Sequence, residues 1–436
     1  MKDERVMREE HSISVWSLSL GCPKNRVDTE KLLGSVRGLK SVDRLCDADL
    51  VVINTCAFIE SAVRESVRRI LECVEEVKSC KKRPYLCVAG CLVGRYGRET
   101  LQGDLPEVDL WLETKDIAHW GEMLCHALRI REQSSRILST PPSYAWLKIG
   151  EGCRHHCSFC TIPSIRGDLH SRKKEDIVAE ARMLLDKNVR EIILVAQDVT
   201  AWGTERGENL CSLLESLLPL EGLRWLRLLY LYPAGLQEDV LSFLAHCPKP
   251  FLPYLDIPLQ HSHPDILKSM GRPFAKNPRM LLERVRHHLP DAVLRTTFIV
   301  GYPGESEAHF RDLCRFVEEN EFLHMGVFAY EREEGTVAHD LSGQVSKRIA
   351  QERRRELMEI QHEISAHLLE NYVGTEEEIL IDSPNPEWPG LFNGRTWFQA
   401  PEIDGQTYVS GEGCFPNAFV KAEIVESSAY DLTALA

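Results

Sequence analysis

The stretch Lys148–Asp168, KIGEGCRHHCSFCTIPSIRGD, puts Cys153, Cys157 and Cys160 within eight residues, directly behind the apolar run YAWLKIG. Three thiols are an odd number for disulfides. They are also one short of structural zinc, which takes four closed ligands, usually from paired C-x2-4-C units. His155 or His156 could complete such a site, but both lie between the thiols in a short loop, where reaching the same ion is strained. A single nucleophilic cysteine would leave the other two unexplained. Iron–sulfur clusters are held by thiolates, normally four, so three protein ligands leave one iron open to a small molecule.

Outward from this loop, helical and extended patterns alternate. EDIVAEARMLLDKN precedes EIILVAQD; LCSLLESLLPL precedes LRWLRLLYL; QEDVLSFLAHC precedes PYLDIPLQH; NPRMLLERVRHHL precedes VLRTTFIVGYPGE; SEAHFRDLCRFVEEN precedes HMGVFAYERE. With the strand before Cys153 this makes six β/α units, which predicts a partial α/β barrel with its site at the carboxyl ends of the strands. Gln197, Asp198, Gln260 and Arg295 are polar residues at or near such ends on otherwise apolar runs, and are candidate binding groups.

Before the loop, three apolar runs each end in cysteine: ISVWSLSLGC at Cys22, DLVVINTC at Cys56 and YLCVAGC at Cys91. Helical patterns separate them, so the expected order is β-α-β-α-β with a parallel sheet and right-handed crossovers. Ligands bind open α/β sheets at the carboxyl edge. Cysteines 34 and 35 residues apart can therefore converge there. The alternative is three core cysteines that happen to close strands. Cys46, Cys73, Cys80, Cys87 and Cys125 fall elsewhere and read as helix, loop or core residues.

The chain has 436 residues, 43% hydrophobic and 27% charged, with 15 cysteines and a formal charge of −14. Its length predicts two to four domains. No apolar run reaches the roughly 18 residues of a membrane span. The opening MKDERVMREE lacks the apolar core of a secretory signal. A cytoplasmic protein is expected, and a reducing cytosol argues against disulfides. A long charged helix, SKRIAQERRRELMEIQHEISAHLLENYVG, follows the β/α units, with apolar residues at Leu357, Ile360, Ile364 and Leu368. The last segment, from Asn371, alternates like a small antiparallel barrel of OB-like character. It holds eleven acidic residues against Arg395 and Lys421, a balance of −9. Such a module repels phosphate backbones and attracts basic partners.

The C-x3-C-x2-C loop with an aromatic before its last cysteine resembles the radical S-adenosylmethionine (SAM) superfamily. Three N-terminal cysteines, this triad, a β/α barrel and a terminal β-barrel together resemble the methylthiotransferases over nearly the full chain. SLGCPKNRVDTE, GCRHHCSFCTIPSIRGDLHSR, PYLDIPLQHSHPDILKSMGRP and RTTFIVGYPGE look like the ribosomal-protein aspartate branch of that family (RimO). The chain departs from the family pattern at LVGRY after Cys91, where a Gln-containing turn is expected, and at Lys173, where Pro is expected. Neither departure touches a cysteine.

The resemblance implies an N-terminal parallel βαβ domain over 11–126, a partial (β/α)6 radical-SAM barrel over 139–368 and a TRAM β-barrel over 371–436. It implies two 4Fe–4S clusters. Cys153, Cys157 and Cys160 would hold the one whose open iron chelates SAM and cleaves it to a 5′-deoxyadenosyl radical. Cys22, Cys56 and Cys91 would hold an auxiliary cluster carrying sulfur, which a first SAM methylates before a second supplies the radical. Gln197, Asp198, Gln260 and Arg295 would contact SAM. An unactivated C–H bond is beyond acid–base catalysis, so a cofactor radical fits the task. The implied substrate is the β-carbon of an aspartate in small-subunit ribosomal protein S-twelve, with a low-potential electron donor as partner and neither membrane nor direct DNA binding. The acidic tail agrees, since it favours a cationic protein over a polyanion. The alternatives are a tRNA adenosine methylthiotransferase with the same cofactors and, more remotely, an electron carrier or a zinc-stabilised interaction protein.

Overall fold

The computed structural model describes residues 12–272 and 277–436. The charged N-terminal stretch, His11 at the start of the expected first domain and Pro273 of SMGRP lie outside them. By packing, the chain divides into two units, one running to Ser139 and taking in Thr161–Gly167, the other holding Thr140–Cys160 and Asp168–Ala436.

The first unit contains β1 (Ile13–Ser19), α1 (Pro23–Gly34), β2 (Leu39–Ser41), β3 (Leu50–Thr55), α2 (Glu60–Ser79), β4 (Tyr85–Gly90), α3 (Cys91–Tyr96), α4 (Arg98–Asp104), β5 (Leu110–Glu113) and α5 (Trp120–Leu128). The sheet order is β2-β1-β3-β4-β5, parallel throughout. Alternation of side chains sends Val51 and Ile53 to one face, packed with Ile70, Val74 and Val77 of α2. Leu50 and Val52 point to the other, against Leu32 and Leu33 of α1 and Trp120 and Leu124 of α5. Both faces are covered, which is why LVVINT is apolar with no polar alternation. Each fully buried aliphatic side chain contributes about 1.5–3 kcal/mol. The strand order reverses between β1 and β3, and in doubly wound sheets such a switch point opens a crevice at the carboxyl edge.

One expectation fails in this unit. Cys46 and Cys80 form a disulfide with a Cα–Cα distance of 5.2 Å. The short helical turn Leu45–Asp47 packs against the end of α2, bringing together two thiols that are 34 residues apart in sequence.

The second unit continues with β6 (Tyr144–Lys148), β7 (Gly150–Glu151), α6 (Ile162–Arg166, folded with the first unit), β8 (His170–Ser171), α7 (Lys174–Asp186), β9 (Glu191–Val195), α8 (Leu210–Leu217), β10 (Trp225–Leu228), α9 (Glu238–Ala245), β11 (Phe251–Gln260), α10 (Pro264–Ser269), α11 (Pro278–His288), β12 (Val293–Val300), α12 (Glu307–Asn320), β13 (His324–Ala329) and α13 (Lys347–Glu370). Six strands form one parallel sheet in the order β13-β12-β11-β10-β9-β6, the expected partial barrel. The remaining strands, β14 (Glu376–Pro384), β15 (Phe392–Arg395), β16 (Thr407–Ser410), β17 (Phe419–Ser427) and β18 (Leu432–Leu435), close a barrel in the order β14-β15-β16-β18-β17. All of its pairs are antiparallel except β16–β18, which is parallel.

The small barrel seats on the amino-terminal side of the six-stranded sheet through buried charges. Glu191, the first residue of β9, accepts from Arg227 Nε at 2.7 Å and Arg395 Nη1 at 2.6 Å. Arg395 also forms a two-pronged bond to Asp382, which accepts from Ser143. Tyr144 donates to Glu402, and Tyr254 to Asp404. Burial alone would raise the Glu191 carboxyl, but Arg395 and Arg227 hold it below its ordinary value.

Candidate active site

In the first unit β1, β3 and β4 lie side by side, and Cys22, Cys56 and Cys91 follow their carboxyl ends. Asn25 ties the loops together. Its Nδ2 donates to Leu20 O and Thr55 O, each at 2.9 Å. Thr55 Oγ1 accepts from Leu92 N and donates to Ala89 O, and Ser66 bonds both the N–H and the carbonyl of Cys56. Gly21 has φ +87°, and a Cβ there would lie 2.8 Å from Cys56 Cβ and 2.9 Å from its Sγ. Only glycine brings the first cysteine loop that close to the second.

Burial pushes the Cys56 thiol up to about 12, with Cys91 and Cys22 adding to the rise and Arg166 opposing it. Burial also raises Cys91, against the pull of Arg166. Three soft sulfur donors gathered at a strand edge beside a guanidinium suit an anionic thiolate-ligated cluster, because iron deprotonates the thiols it binds.

In the second unit, β7 and β8 form a two-stranded stem around the triad loop. Gly152 (φ +74°) turns the chain into Cys153. Ser158 pins the loop: its N–H donates to Met270 O, its hydroxyl bonds Ser269 O and Tyr302, and its carbonyl accepts from Ala338. Cys160 N–H closes a turn on Cys157 O. Gly271 (φ +73°) lets the backbone approach, since a Cβ there would sit 2.7 Å from His156 O. Burial raises the Cys153 thiol to about 11.

His155 stacks on Tyr232 at 3.6 Å between centroids, and its Nε2 lies 2.7 Å from Asp198 Oδ2. The Tyr232 hydroxyl hydrogen-bonds Cys157, and the Arg272 guanidinium lies over the same ring at 4.7 Å. His155 is therefore engaged by Asp198 and Tyr232, and His156 is exposed.

The four predicted polar residues separate. Gln197 follows β9 and donates from Nε2 to Glu151 Oε1, which is held in turn by Lys148; its own Oε1 is buried without a partner. Gln260 ends β11 in a left-handed conformation, φ +74°, and its Oε1 is likewise buried and unpartnered. Two orphaned amide oxygens at carboxyl strand ends fit a polar ligand. Asp198 is occupied by His155 and by the N–H and hydroxyl of Thr200. Arg295 departs from expectation. It is third of eight residues in β12, bonded to Asp256 at 2.9 Å and ion-paired with Asp404 of the small barrel. The strand continues five residues past it, so it braces the barrel's amino-terminal side.

Sequence reading missed Asn25, Arg166, Tyr232 and Arg272. Arg166 lies within the quoted triad stretch and Arg272 follows the SMG run, yet nothing in their local pattern marks a partner.

Three family profiles cover most of the chain: Uncharacterized protein family UPF0004 over residues 14–113, Radical SAM superfamily over 147–317 and TRAM domain over 373–436. A ribosomal protein uS12 methylthiotransferase RimO from Nitratidesulfovibrio vulgaris strain Hildenborough is 58% identical over 97% of this chain and 100% of its own length. The chain belongs to the uS12 methylthiotransferase family. Family members from Lawsonia intracellularis (52% identical, 98% of both chains) and Aquifex aeolicus (44%, 95% of both) bear the same name. Among solved structures, the radical SAM methyltransferase TsrM from Kitasatospora setae, described with cobalamin and a [4Fe–4S] cluster, superposes with a TM-score of 0.53 at 12% identity. That match covers 88% of this chain and 81% of TsrM, and shows a shared fold. Among the described residues no helix is long and apolar enough to cross a membrane.

Proposed function

We propose that this chain methylthiolates the β-carbon of an aspartate in ribosomal protein uS12, as a radical SAM enzyme using SAM and two 4Fe–4S clusters. The observation that carries the assignment of roles is the convergence of Cys22, Cys56 and Cys91 at adjacent strand ends, separate in sequence from the Cys153–Cys160 loop. The names of the relatives, at up to 58% identity over full length, support the substrate and do not favour tRNA.

Cys153, Cys157 and Cys160 are the proposed ligands of the cluster that binds SAM, and Cys22, Cys56 and Cys91 those of the cluster that carries sulfur. When bound, the first supplies an open iron and one electron for cleaving SAM, and the second supplies the sulfur that is transferred. The chain's own residues position and shield. Ser158 and Gly271 fix the triad loop, Tyr232 caps Cys157, and Asp198 holds His155 on the Tyr232 ring. Gln197 and Gln260 offer buried amide oxygens to the polar groups of SAM. A low-potential donor provides the electron, and the reaction takes place in the cytoplasm.

The test is anaerobic turnover of the reconstituted enzyme with uS12, followed by mass spectrometry. A methylthio group on one aspartate is expected. Modified tRNA beside unchanged uS12 sinks the reading.

A further inference from the structure

The segment Thr161–Gly167 follows the triad in sequence yet folds with the first unit. It carries Arg166, whose side chain is 2% exposed. The guanidinium donates to Cys91 Sγ from Nε at 3.4 Å and from Nη2 at 3.2 Å. Nη2 also reaches Asn25 Oδ1, and Nη1 reaches Asp28 Oδ2 at 3.0 Å. Asp28 is itself buried, its side chain 3% exposed. The planar fork is thus fixed on three sides, with one edge turned to a single sulfur.

We propose that Arg166 is a positioning residue that sets the reduction potential of the auxiliary cluster through its two hydrogen bonds to the Cys91 sulfur. The inference rests on the proposed ligand set Cys22, Cys56 and Cys91. A charge-assisted donor draws electron density from the thiolate and offsets the negative charge gained on reduction. Hydrogen bonds to ligand sulfurs are among the factors that set cluster potentials, and buried placement strengthens them. Losing the donor makes the reduced state harder to reach. Arg166 therefore biases which of the two clusters takes an arriving electron.

The experiment uses the full-length chain with Cys153, Cys157 and Cys160 all changed to alanine, leaving the auxiliary site alone to bind iron. Potentiometric titration followed by electron paramagnetic resonance reads its potential. If this parent binds no cluster, the ligand set fails, and with it the proposed function's division of roles. If it binds one, Arg166→Gln is expected to lower the potential by about 59 mV, a tenfold change in the one-electron equilibrium. Arg166→Lys, which keeps the charge but loses the fork, is expected to fall between the two. An unchanged potential at full iron content overturns the inference. So does loss of the cluster in both variants, because Arg166 would then hold the loop's shape and not tune a bound sulfur.

Discussion

At the scale of single residues, the six cysteines divide into two sets with separable outcomes. Cys157→Ala is expected to abolish 5′-deoxyadenosine formation, read by chromatography after reduction with SAM. Cys56→Ala is expected to retain part of that cleavage while giving no methylthiolated uS12; normal transfer by this variant would remove Cys56 from the auxiliary set. Gly21→Ala tests the backbone that brings the first set together. Its Cβ would collide with Cys56 at a φ of +87°, a strain of about 1–3 kcal/mol. Iron analysis should show the content of one cluster lost and that of the other kept. The cysteines were legible because a thiol closing each of three apolar runs is a pattern in one dimension. Arg166 was not, because its partners Asn25, Asp28 and Cys91 are more than 70 residues away along the chain. Arg295 misled because a strand pattern gives neither the level of a residue along the strand nor which end faces the ligand.

At the scale of elements, parallel strands and helices were readable from period and burial, since the central strands β3 and β4 of the first sheet are sandwiched and largely apolar. The exceptions carried information of their own. Glu191 opens EIILV and Arg227 interrupts WLRLL, and a charge in so apolar a strand requires a partner. The partner is Arg395 of β15, about two hundred residues on. Arg395→Ala leaves the buried Glu191 with Arg227 as its remaining cation and strips the half-buried Asp382 of its two-pronged partner, and is expected to cost about 3 kcal/mol, measurable by denaturant unfolding. The pH dependence has a definite sign. The Glu191 carboxyl is depressed in the folded state, so its contribution is present above the ordinary glutamate range and is lost as pH falls below it. The variant should therefore show a shallower loss of stability on acidification than the parent chain. An equal slope would show that Glu191 is not part of the acid response.

At the scale of the whole molecule, the carboxylates of the acidic tail fall into two groups. Asp382, Glu402 and Asp404 are spent on Arg395, Tyr144, Tyr254 and Arg295, which fasten the small barrel to the sheet. Others, such as Glu387 and Glu412, lie exposed on its surface. The sequence count of −9 could not separate them, because burial is not visible in a sum of charges. A chain ending at Glu370 is expected to lose more than a terminal module. Glu191 would keep Arg227 but lose Arg395, while Tyr254, Arg295 and His324 would lose Asp404 and the Phe398 carbonyl. Poor soluble yield and rapid proteolysis should follow, whereas a truncated chain that purifies intact with its iron would show the anchor to be dispensable.

Seven residues of the second unit's stretch of sequence, Thr161–Gly167, belong by packing to the first. Inheritance is constrained accordingly. A crossover near residue 140 between two divergent relatives hands one parent's Arg166 to the other parent's Asn25, Asp28 and Cys91, so those positions must travel together or change in step. Chimeras that exchange residues 12–139 along with 161–167 should keep the auxiliary-cluster potential that chimeras exchanging 12–139 alone shift.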